Sequence, residues 1–109
     1  ALPIYFSDLE IAFLVYLLRA ENAEELVKTP DLQAVIYPMT ANPQRARIVR
    51  NNFIKNLNLK LYMMYGVTEG ITRKGTDEDK RKKCYFFHEN LIRLGIMADI
   101  QQNLHTIAH

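Results

Sequence analysis

Apolar residues follow three different rhythms along this chain. From Ile11 to Leu18 they are almost continuous. Ser7-Asp8-Leu9-Glu10 stands just before them as a capping box: the serine accepts from the third backbone amide and the glutamate reaches back. The pattern predicts a buried central helix from Ser7 to about Ala20. A buried strand over 11–18 is the less favoured alternative. From Ala46 the apolar positions run Ala46, Val49, Phe53 and Leu57, which is one face of an α-helix. Asn42-Pro43 opens that helix, with asparagine as cap and proline in the first turn. Beyond Leu57, Leu59, Leu61 and Met63 alternate with Lys60, Tyr62 and Met64. That suits a strand, but Leu and Met favour helix, so the helix is extended to about Tyr65.

Between these segments the signals are local. Asn22-Ala23-Glu24-Glu25 resembles a cap and predicts a short helix ending near Lys28. Thr29-Pro30-Asp31 predicts a second short helix, stopped by Pro38 at Tyr37. Three glycines, Gly66, Gly70 and Gly75, mark the one plausible joint. After it two readings compete. In the preferred one, Thr76 caps a helix with acids in its first turn. Cys84, Phe87, His88, Leu91 and Ile92 form its inner face, and Gly95 ends it. In the other, Ile71-Thr72-Arg73-Lys74 and Cys84-Tyr85-Phe86-Phe87 are the strands of a hairpin with a charged tip. A final amphipathic helix is predicted over Ala98–Ala108, with Ile100, Leu104 and Ile107 at spacings of four and three. The expected fold is therefore mainly α: one helical domain over 1–109, of five or six helices, with at most one small winged-helix-like β-hairpin around residues 67–87.

Composition fits this picture. The chain has 109 residues, 49% hydrophobic and 24% charged, as in ordinary globular domains. Charge changes it more. The net charge is only +2, yet residues 32–68 hold five basic side chains and no acid. Residues 1–31 hold six acids against two bases, and residues 69–109 are mixed. Segregated positive charge focuses a field on anions. Beside the apolar face of the 43–57 helix run Arg47, Asn51, Lys55 and Asn58. Arginine and asparagine bond guanine and adenine edges in forks, and Arg45, Arg50 and Lys60 suit phosphates. Arg73, Lys74 and Arg81 form a second basic group that, as a wing, would brush the duplex backbone.

Other chemistries find little purchase. Cys84 is the single cysteine, which rules out an intramolecular disulfide and suits a reducing cytoplasm. With His88, His105 and His109 it makes a weak zinc set, so no metal or other cofactor is expected. No phosphate loop, nucleophile elbow or HExxH motif occurs, so an enzyme is not expected. The longest apolar run is far short of the ~20 residues of a spanning helix, so no membrane association is expected either. Tyr85-Phe86-Phe87 cannot share one side of a helix, which suggests a homodimer covering one of them. The reading is a small cytoplasmic regulator of transcription or replication that binds duplex DNA, of helix-turn-helix or winged-helix character. The alternative is a helical adaptor with no nucleic-acid role, its basic middle docked on an acidic protein or on its own acidic front.

Overall fold

A computed structural model describes residues 4–36, 42–91 and 93–107. Its order is α1 (Asp8–Asn22), β1 (Val27–Lys28), α2 (Thr29–Ile36), α3 (Pro43–Tyr65), β2 (Ile71–Gly75), β3 (Lys83–Phe87) and α4 (Arg93–Ile107). The described residues thus form four helices and a small antiparallel sheet in the order β1-β3-β2. The fold is mainly α with a small β component, and the expected five or six helices reduce to four.

The capping box forms as the sequence indicates. Ser7 N donates to Glu10 Oε1 at 2.7 Å, and Glu10 N donates to Ser7 Oγ at 3.2 Å. Phe13, Leu14 and Leu17 of α1 are buried and meet Leu32 and Ile36 of α2, Leu57 and Leu61 of α3, and Ile71, Tyr85 and Phe87 of the sheet. Phe13 is the hinge of this core. Its ring lies edge-on to both Phe53 and Tyr85, with centroids 5.9 Å apart in each case, a favoured aromatic geometry.

Asn42 caps α3 by accepting from Gln44 N and Arg45 N. At 23 residues the helix is about 35 Å long. Gly66 ends it in the left-handed region at φ 72°, where a β-carbon would be strained. Tyr65 Oη donates to Asp99 Oδ2 and ties the end of α3 to α4. Burial first, and then this bond to a carboxylate, push the Tyr65 phenol well above its usual range.

Three local expectations fail. No short helix follows Asn22: Glu24 adopts φ 56°, Glu25 N closes onto Ala20 O at 2.8 Å, and the chain turns into β1. No helix starts at Thr76 either, and residues 76–91 hold none. Ile71 pairs with Phe87, Arg73 with Tyr85 and Gly75 with Lys83, so the hairpin stands in its place. Gly95 lies inside α4 instead of ending a helix. The aromatic triplet then distributes by strand alternation. Tyr85 and Phe87 are buried, while Phe86 goes to the opposite face and lies under the Lys74 ammonium. None of the three aromatics is left fully exposed for a second copy to cover. The expected Pro38 stop, Ile92 and the Leu104 and Ile107 side chains lie outside the described residues.

Candidate nucleic-acid interface

α3 presents two unlike stretches to its surroundings. In its front half Arg45, Arg47, Asn51 and Lys55 are exposed. Among the described residues none of the three cations forms an ion pair, and no acid precedes Glu69 on this stretch. The apolar face beneath behaves as the periodicity predicts: Ala46 and Leu57 are buried, and Val49 and Phe53 are half-buried against the core. Arg50 is turned toward α2, and its Nη1 donates to Gln33 Oε1 at 2.6 Å.

Further along the helix the same residue types are committed to internal contacts. Asn58 Oδ1 accepts from Ile71 N at 2.7 Å, and its Nδ2 donates to Ile71 O at 3.0 Å. This amide works as a short strand pair that pins β2 to α3. Lys60 Nζ lies 2.6 Å from Glu10 Oε1, whose side chain is only 5% exposed. A buried carboxylate needs such a partner. Asn58 and Lys60 therefore sit apart from the exposed row, although the sequence pattern groups them with it. Lys60 is also the one point where the acidic front of the chain neutralises the basic middle among the described residues.

The hairpin divides its cations as well. Arg73 shares a sheet face with Ile71 and Tyr85 and reaches toward α3, where it lines a concave surface of about 390 Å³ with Arg47, Arg50, Asn51 and Tyr85. Lys74 points to the other face and lines a recess with Glu21, Glu24 and Glu25. Arg81 is exposed at the tip, its backbone N–H held by Asp79 Oδ1 at 2.9 Å. The tip is a compact turn in which Thr76 Oγ1 accepts from Asp79 N and Lys82 N donates to Asp79 O. Sequence reasoning missed Gln33, Thr29 and Tyr85 as neighbours of this surface. Nothing local could have shown them, because α2 and β3 arrive from distant parts of the chain.

Three further observations hold among the described residues. No group of three His, Cys, Asp or Glu side chains is placed to hold a metal ion. Cys84 is buried, and His88 Nδ1 accepts from Asn90 N. No helix is long and apolar enough to cross a membrane. No known protein family, curated protein or solved structure matches the chain.

Proposed function

We propose that this protein is a duplex-DNA-binding regulator of transcription or replication in the cytoplasm. In this reading the front half of α3 is the recognition helix, and the β2–β3 hairpin is its wing. The single observation that carries the reading is the exposed row Arg47, Asn51 and Lys55, with Arg45 exposed on another side of the same helix, unopposed by any acid on α3. Such a row offers cationic and amide donors to the phosphates and base edges of a groove. The order of helix, strand, helix, helix and hairpin supports it, because α2 and α3 then stand as the pair of a helix-turn-helix. Arg73 and Arg81 would follow the backbone beside the groove. α4 turns Leu94 and Met97 outward, at 80% and 42% exposure, which supports pairing with a second copy. Two copies would set their α3 rows about 34 Å apart, one duplex turn.

A mobility-shift titration with mixed-sequence duplex at low and moderate salt tests the reading. Binding is expected at low salt and should weaken steeply as salt rises. Protein that ignores duplex at low salt would rule the reading out.

One observation favours a second reading. Ile48, Leu59, Tyr62 and Met63 of α3 are 52–61% exposed, an apolar surface of the kind that protein partners cover. An adaptor role, with an acidic protein against the basic row, follows if duplex is not bound.

A further inference from the structure

We propose that the recess between α3 and β2 is a seat for a single phosphate group. The inference deepens the DNA reading: in a complex the group would be one backbone phosphate that sets the register of the duplex on α3. Arg47, Arg50 and Asn51 stand at i, i+3 and i+4, so they share one side of the helix. Arg73 enters from β2 and closes the opposite wall, and Tyr85, its cross-strand partner, forms the floor. No Asp or Glu lines the recess.

Two of the three guanidinium groups are steered by α2. Arg50 donates to Gln33 Oε1, and Arg73 Nη2 lies 3.5 Å from Thr29 Oγ1. Each guanidinium has five N–H donors, so one bond spent on orientation leaves a fork for the ligand. Three cationic forks approaching from two sides match a tetrahedral oxyanion better than a planar carboxylate, which offers its oxygens in one plane. Asn51 adds a neutral donor from its amide. Because the walls belong to a helix and a strand, an occupied seat adds a second tie between the hairpin and α3 beside the Asn58–Ile71 pair. A row of charges on one helix would not do that.

The test uses short duplexes with one neutral methylphosphonate linkage, moved position by position. Wild-type protein is compared with Arg73→Gln and with Arg47→Gln, both exposed positions, so at least one variant is expected to keep the wild-type circular dichroism spectrum. One linkage should weaken wild-type binding roughly tenfold when neutralised, the scale of a charge-assisted pair. The same change should matter far less to either recess variant. Lys55→Gln, outside the recess, should retain the full sensitivity. In parallel, inorganic phosphate is titrated into free protein while the arginine Nε–H signals are followed by NMR. If duplex binds but no linkage couples to Arg73 or Arg47, the seat is refuted and the DNA reading stands. If duplex does not bind but inorganic phosphate shifts Arg47, Arg50 and Arg73 together, the seat holds a free phosphate and the DNA reading falls. If neither duplex nor inorganic phosphate is bound, both are refuted.

Discussion

The two halves of α3 carry similar side chains with opposite fates. Asn51 and Lys55 in the front half stand in solvent, while Asn58 and Lys60, within a few residues, are built into the protein. Asn58 completes the edge of β2, and Lys60 neutralises the buried Glu10. Residue type and helical spacing do not separate these pairs. What separates them is what each side chain faces: Lys60 meets Glu10 of α1 and Asn58 meets Ile71 of β2, whereas Asn51 and Lys55 lie on the exposed side of the helix. The surface proposed for DNA on this helix is therefore bounded by where the fold stops using its polar groups.

Substitutions test that contrast. The largest effect is expected for Leu57→Ala, where the helix changes from one regime to the other. It should cost about 2–5 kcal/mol in urea-induced unfolding, the range for emptying a tight core site. Asn58→Ala removes two bonds to one strand residue and leaves backbone groups unpaired, at about 2–3 kcal/mol. Asn51→Ala should stay within about 0.5 kcal/mol of wild type, as surface changes do. Equal losses at 51 and 58 would erase the distinction. Lys60→Met strands the Glu10 carboxylate. Because the lysine is partly exposed, the cost should be about 1–2 kcal/mol, with duplex affinity preserved. Tyr65→Phe, which frees the end of α3 from Asp99, should cost about 1 kcal/mol by the same unfolding assay.

The starts of α1 and α3 were legible because their chemistry is local, whereas α4 begins at Arg93, five residues before the expected Ala98. Ser7 with Glu10, and Asn42 with Pro43, need only neighbours within one turn. The end of α3 at Gly66 was legible for the same reason. The hairpin was the harder case. Thr76 does accept from the amide three residues on, as a helix cap would, but here the bond closes a turn. The outcome depends on Ile71 meeting Phe87 across sixteen residues and on Tyr85 meeting Phe13, and neither contact has a sequence signature. The basic row was visible as a stripe, but its rear limit was not. That limit depends on Glu10 and Ile71, which come from other parts of the chain. Lys74 and Arg73 looked like one cluster until strand alternation sent them to opposite faces.

Fluorescence anisotropy with mixed-sequence duplex, recorded over a series of salt concentrations, asks whether the front cations of α3 meet DNA. Wild type is compared with Arg47→Ala/Lys55→Ala and with Lys60→Met. Losing the two front cations should weaken binding and reduce the slope of log affinity against log salt by about 2, roughly one per phosphate contact, while Lys60→Met leaves the slope unchanged. A slope that is insensitive to Arg47 and Lys55, or that falls equally on loss of Lys60, would contradict the account.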